Sequence, residues 1–195
     1  LARDQAGKTA VYPVLRNVHR DGILAITTLA DDLPGAMIAQ AHEAATTIAQ
    51  QLDYVGVLCV EFFVLQDGQL VVNEVAPRPH NSGHITMDAC QCSQFEQQVR
   101  VLAGQPLGSI SASHGGVMLN ILGDIWFPPG SETPIEPDWN AVLAVPQAHL
   151  HLYGKQQVRR GRKMGHVNLT AADMAQVNQA AQQVAGILGI AWNHD

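Results

Sequence analysis

Glu61 and Glu74 have the spacing that points most directly to chemistry. Each lies in an apolar run, Val55–Leu65 or Leu70–Ala76, that reads as a β-strand, and Asp67-Gly68 between the runs is a signal for a two-residue primed turn. With Gln66 paired to Gln69, every cross-strand pair has the same residue-number total. Glu61 then falls opposite Glu74, with Asn73 on the other face beside Phe62. Directly opposed Cβ atoms lie about 4.5–5.5 Å apart, and like charges there repel. A cation is therefore expected between them. Two hard oxygen ligands on a rigid hairpin suit Mg²⁺ or Mn²⁺, which are held by one or two carboxylates together with substrate phosphates. The plainer alternative is an exposed acidic pair relieved by a neighbouring Lys or Arg.

The run after Glu74, Val75-Ala76-Pro77-Arg78-Pro79-His80-Asn81-Ser82-Gly83-His84, leaves the strand through two prolines. Pairing must stop there, and a shaped loop beside the acids should follow. The loop carries Arg78, His80, Asn81, Ser82 and His84. Arg offers a planar fork for phosphate or carboxylate, and His and Asn can each donate to and accept from a polar heterocycle. An ordinary polar loop, with Arg78 neutralising Glu74, is the bland counterpart.

Glu-x-x-Pro-Arg-Pro-His-Asn-Ser-Gly-His, preceded by Val60-Glu61-Phe62-Phe63, resembles the ATP-grasp enzymes of the 5-(carboxyamino)imidazole ribonucleotide synthase (PurK-type) family of purine biosynthesis. The resemblance continues through Ser93-Gln94-Phe95-Glu96, Pro106-Leu107-Gly108, Val117–Gly123, His149–Tyr153 and Gly161–His166, and so covers nearly the whole chain. Asn81-Ser82-Gly83 separates it from the related formate-dependent glycinamide ribonucleotide transformylases, which usually continue with Asp-Thr-Gly. The resemblance implies ATP and Mg²⁺ (or Mn²⁺) as cofactors, both associated with Glu61 and Glu74. Bicarbonate and 5-aminoimidazole ribonucleotide are the implied substrates, joined through carboxyphosphate. It further implies catalytic roles for Arg78, His80 and Asn81, and substrate contacts from Ser82, His84, Arg160, Arg162 and Lys163. A formate-using ligase of the same superfamily and a non-catalytic scaffold or dimerisation fragment are the alternatives; a homodimer is allowed for.

Family members are considerably longer than 195 residues. The chain is accordingly expected to be the C-terminal half, without the ATP-covering lobe, and inactive alone. The implied fold is α+β: the C-terminal part of an ATP-grasp domain at 1–108, then a small β-rich domain with a terminal helix at 109–195.

The elements that must position these residues follow from punctuation. Pro34–Leu52 places Met37, Ile38, Ala41, Ala45, Ile48, Ala49 and Leu52 at helical spacing. Ser93 with Glu96 reads as a capping box for a helix ended by Gly104. Beyond Ser109 come strands at Val117–Leu122 and Ala148–Tyr153, a short helix near Asp138–Leu143 and a hairpin arm at Gly161–Leu169. A final Ala/Gln-rich helix runs to about Leu188, capped by Thr170 with Asp173. An early strand at Ala10–Leu15 is also expected.

Charged residues make up only 14% of the chain and the net charge is −6, which argues against a nucleic-acid footprint. With no apolar run of membrane-spanning length, a cytoplasmic protein is expected. Cys59, Cys90 and Cys92 are expected to be reduced thiols, and neither Cys90-x-Cys92 nor His149-x-His151 completes a zinc pattern. Anionic ligands must then be met by local cations. Lys155, Arg159, Arg160, Arg162 and Lys163 supply five of the eleven Lys and Arg residues within nine positions. A solvated hairpin tip suits Lys155 and Arg159; by resemblance, Arg160, Arg162 and Lys163 contact ligand phosphate. One anion cleft shared by Arg78, His80 and Lys163 is the resulting expectation. Lys163-Met164 lacks the preceding Ala-Met of a biotin-carrier hairpin.

Overall fold

A computed structural model describes residues 1–29 and 32–192. Its elements begin with β1 (Ala2–Arg3), β2 (Thr9–Ala10), β3 (Leu15–Arg20), β4 (Ile23–Leu29), α1 (Gly35–Gln51), β5 (Gly56–Val57), β6 (Cys59–Val64) and β7 (Leu70–Ala76). Then come α2 (Thr86–Ala89), α3 (Gln94–Leu102), β8 (Gly115–Leu122), α4 (Trp139–Leu143), β9 (Ala148–Leu152), β10 (Lys163–Ala171) and α5 (Met174–Leu188). Mixed helices and antiparallel sheets make this an α+β chain. Among the described residues no helix is long and apolar enough to cross a membrane.

Two compact units divide the chain, one of residues 1–15 and 29–113, the other of 16–28 and 114–195. A single cut near Gly108 therefore does not describe the partition. The physical reason is strand pairing: β4 joins β8 antiparallel, with Ile26 opposite Leu119 and Thr28 opposite Val117. The β3–β4 hairpin turns through Asp21 and Gly22, both at positive φ (49° and 74°). That is the backbone a type I′ turn requires. The early strand expected at Ala10–Leu15 is replaced by short β2 and by β3.

In the first unit, β1 lies between β2 and β5, and β6 pairs with β7. Val55–Leu65 is thus not one continuous strand; it breaks at Leu58, which donates its N–H to Leu1 O at 2.9 Å. Helix α1 packs on the β6–β7 hairpin. Its buried face consists of Ala41, Ala45 and Ala49, small side chains at i, i+4 and i+8. Helix α3 starts at Ser93, whose Oγ accepts from Glu96 N at 3.1 Å. The Glu96 carboxylate turns instead to Arg100, 2.8 Å from Nε, so half of the expected capping box forms. Gln97, fully buried, clamps Gly108 by accepting from its N–H at 2.9 Å and donating to its carbonyl at 2.8 Å.

The second unit is a five-stranded sheet in the order β3-β4-β8-β10-β9. Helix α5 packs on β8 and β10, burying Val177, Ala181, Val184 and Leu188 against Val117, Leu119, Val167 and Leu169. Its N-cap is Asp173, which accepts from Gln176 N at 2.9 Å, rather than Thr170. Gly189 at φ 65° ends it in the left-handed conformation that helix C-termini favour.

Candidate functional site

The acidic pair is formed in the first unit: Glu61 of β6 lies directly opposite Glu74 of β7. Two departures from a regular hairpin produce that register. Leu65 N donates to Gln69 O at 2.9 Å, closing a loop of three residues, and Gly68 alone takes positive φ (83°). Asp67 does not, so the two-residue primed turn is absent. Val64 then pairs with Leu70, Phe63 with Val71 and Phe62 with Val72, one residue out of step with the expected ladder. A bulge between Phe62 and Glu61 leaves Asn73 without a partner residue and restores the Glu61–Glu74 pairing. Asn73 therefore does not sit beside Phe62.

Since paired residues share a face, Cys59, Glu61, Glu74 and Ala76 all project to the same side. The Pro-rich loop folds over that side. Arg78 N donates to Ala76 O at 2.9 Å as the chain leaves β7, and residues 82–85 form a single 3₁₀ turn leading into α2. His80 Nδ1 is thereby brought 3.5 Å from Glu61 Oε1, with both side chains mostly buried. Ser82 Oγ stands 3.0 Å from the same nitrogen and 3.9 Å from Cys59 Sγ. Glu61 Oε1 is buried and accepts no hydrogen bond, with the His80 ring nitrogen at 3.5 Å as its polar neighbour, a setting in which a cation can be satisfied. The donor set thus fits a divalent ion. Burial pushes the Cys59 thiol up, and the negative charges of Glu61 and Glu74 add to the shift, while its hydrogen bond with Ser82 opposes it.

Gln94 holds the loop. Its Oε1 accepts from His80 N at 2.8 Å, and its Nε2 donates to His80 O at 2.7 Å and to His84 Nδ1 at 2.9 Å. Its own N–H donates to Thr86 Oγ1, which in turn donates to Gly83 O. Gly83 has no side chain because none fits: a Cβ there would lie 2.3 Å from Gln94 Oε1. His84 is further fixed by its ring contact with Phe95, 5.2 Å between centroids. Asn81 Nδ2 is buried with no hydrogen-bond partner. Arg78 is exposed, and its guanidinium donates to Pro79 O at 3.1 Å rather than to Glu74.

His80 thus stands beside Glu61 with Ser82 against it, His84 shares the Gln94 amide with His80, and Arg78 lies exposed on the loop. Sequence reasoning missed Cys59 and Gln94 as parts of the site. The two-residue step from Cys59 to Glu61 in a strand was a usable signal for the first. Nothing local marks the second, since its partners lie ten to fourteen positions upstream.

The basic run belongs to the second unit. The Arg160 guanidinium lies 4.7 Å from the Phe127 ring centre, and Arg162 donates to Gln157 O at 2.7 Å. Lys155 Nζ donates to Lys163 O at 2.5 Å. The loop is tied down at its base, where Gly161 N donates to Asp124 Oδ2 and Gly123 N to Arg162 O. Further along β10, His166 is buried, stacked on His151 at 4.5 Å and 2.9 Å from the Tyr153 hydroxyl.

Residues 1–95 match the ATP-grasp domain family, and residues 116–180 match the phosphoribosylaminoimidazole carboxylase C-terminal domain family. The N5-carboxyaminoimidazole ribonucleotide synthase of Brucella melitensis is 49% identical over 170 residues, 85% of this chain and 43% of that protein. The crystal structure of the Thermus thermophilus synthetase superposes with a TM-score of 0.88 at 36% identity, covering 98% of this chain and 50% of that one. The Aspergillus clavatus synthase, solved with ADP and 5-aminoimidazole ribonucleotide, gives 0.80 at 31% identity over 91% of this chain and 47% of that one. The chain spans about half the length of the curated relatives it matches. Along nearly all of its own length, in sequence and in fold, the chain matches the C-terminal half of the N5-carboxyaminoimidazole ribonucleotide synthases, with an ATP-grasp domain segment followed by their C-terminal domain.

Proposed function

We propose that this chain supplies the metal-phosphate and acceptor-binding side of an ATP-dependent ligase. The reaction carboxylates 5-aminoimidazole ribonucleotide with bicarbonate, releasing ADP and phosphate. The observation that carries this reading is the opposed Glu61–Glu74 pair at the root of the Pro-Arg-Pro-His-Asn-Ser-Gly-His loop, with one buried Glu61 oxygen left unsatisfied. Glu61 and Glu74 would hold Mg²⁺ or Mn²⁺, whose charge offsets that of ATP phosphates when bound.

The remaining work falls to the chain's own side chains. Arg78, exposed, offers its fork to the bicarbonate carboxylate. His80 is fixed through its backbone by Gln94 and faces Glu61 and Ser82, a setting in which Nδ1 can hold or pass a proton. Asn81 Nδ2 is a buried donor awaiting an acceptor on the substrate, and Ser82 and His84 complete the polar wall. Arg160, Arg162 and Lys163 take the ribonucleotide phosphate, the arginines as forks and the lysine as a point charge. A homodimer in the cytoplasm completes the reading.

The test uses the complete polypeptide in an assay of ADP formation dependent on aminoimidazole ribonucleotide. Glu74→Gln should chiefly lower turnover, and Lys163→Ala should chiefly raise KM for that ribonucleotide. The 195-residue chain alone should not turn over. Unchanged kinetics in Glu74→Gln would overturn the metal assignment, and formate-dependent turnover in place of bicarbonate dependence would move the chain to the formate-using ligases.

A further inference from the structure

One donor atom from each of Cys59, Glu61 and His80 lies within 4.8 Å of the other two. This is a thiol, a carboxylate and an imidazole, a set different in chemical character from the two carboxylates assigned to Mg²⁺ or Mn²⁺. Mg²⁺ takes oxygen ligands, whereas sulfur and imidazole nitrogen favour Zn²⁺ and its neighbours. Three protein ligands with a fourth position open is the arrangement of a zinc ion that exchanges ligands. Around such an ion, bonds of about 2.0–2.3 Å place ligand atoms some 3.3–3.8 Å apart. Glu61 Oε1 and His80 Nδ1 are already 3.5 Å apart. The Cys59 sulfur must move inward and the Ser82 hydroxyl, 3.9 Å from that sulfur and 3.0 Å from His80 Nδ1, must give up its hydrogen bond to the ring nitrogen. Glu61 Oε1 is buried without a hydrogen-bond partner, so a cation there displaces no existing bond to that oxygen.

We propose that Cys59, Glu61 and His80 form a second, softer metal site that takes Zn²⁺ or a similar thiophilic divalent cation, in competition with Mg²⁺ for Glu61. Binding converts the Cys59 thiol to a thiolate, and its proton leaves to solvent. The site holds whether or not the chain serves the carboxylation proposed above, because its ligands need no nucleotide. Its consequence for any Mg²⁺-dependent activity is inhibition, since one carboxylate cannot serve both ions in their own geometries.

The experiment titrates the 195-residue chain with Co²⁺, a coloured stand-in for zinc, and then with Zn²⁺. The parent should show a near-ultraviolet cobalt–thiolate band that one equivalent of Zn²⁺ bleaches and equal Mg²⁺ does not. Cys59→Ser should abolish the band and weaken Zn²⁺ binding about tenfold or more. The double variant Cys90→Ser, Cys92→Ser should keep both. Absence of the band in the parent, its loss in the double variant, or parent-like Zn²⁺ affinity in Cys59→Ser overturns the proposal. If Cys59→Ser loses its helical circular dichroism, the double variant decides alone. Failure here leaves Mg²⁺ or Mn²⁺ binding through Glu74 untouched, so the two readings fall separately.

Discussion

Replacing Gly83 with alanine should destabilise the protein only while Gln94 is present. The added methyl would lie 2.3 Å from Gln94 Oε1, 2.7 Å from Cδ and 3.1 Å from Nε2. Gln94 is buried, so its amide cannot swing into solvent without giving up its bonds to His80 N, His80 O and His84 Nδ1. At about 0.5–1.5 kcal/mol for each hydrogen bond, their loss costs roughly 2–4 kcal/mol. Gln94→Ala removes the same three bonds directly and should cost a similar amount. In the Gln94→Ala background the three nearest atoms the Gly83 methyl would strike are gone, and Gly83 has no left-handed backbone to penalise a side chain. The double variant should therefore be no less stable than Gln94→Ala, so the coupling between the two sites equals the cost of Gly83→Ala alone, roughly 2–4 kcal/mol. Urea unfolding of the four proteins, followed by circular dichroism, measures the cycle. Simple additivity, or a loss below about 1 kcal/mol for Gln94→Ala, would refute the view that this amide holds the loop.

Mn²⁺ should raise the melting temperature of the parent chain but not of Glu74→Gln, which without metal should melt slightly higher because its like-charge opposition to Glu61 is gone. Deleting Asn73 should leave a folded hairpin with Glu61 still opposite Glu74, since removal of the bulged residue joins two stretches of ladder already in place; loss of Mn²⁺ binding in that variant would contradict the register argument. Burial pushes the Cys90 thiol up to about 11. Its reactive thiolate is therefore scarce at pH 8 and returns as pH rises toward 11, so alkylation followed by mass spectrometry should be about a hundredfold slower than for a free cysteine. Gly123→Ala, whose methyl would meet the Arg159 carbonyl oxygen at 2.1 Å, should disturb the basic loop and raise KM for the ribonucleotide in the complete enzyme.

Local chemistry made much of this fold readable. Ser93 and Gly104 bracket α3, the α1 run carries its small-residue face at helical spacing, and two prolines stop β7 where pairing ends. What escaped depends on distance. The pairing of β4 with β8 joins positions about ninety residues apart, and no local signal announces it, although Asp21-Gly22 marked the hairpin tip as plainly as Asp67-Gly68 marked the other. The acidic pair itself was legible for a reason only half correct. A strict ladder from a two-residue turn places Glu61 opposite Glu74, and so do a three-residue loop plus one bulge, because the two offsets cancel. Cys59 was marked by its two-residue step from Glu61 along the strand, whereas Gln94 became visible only once the loop was closed over the hairpin.

The unpaired Asn73 has a mechanical meaning. Beyond it the hairpin carries five exposed apolar side chains, Phe63, Val64, Leu65, Val71 and Val72, and a bulge bends its strand and tightens the local twist. One residue at the wrist therefore sets the bearing of an apolar paddle relative to the acids at its base. Substitutions at the tip alter what the paddle touches, whereas those at position 73 alter where it points.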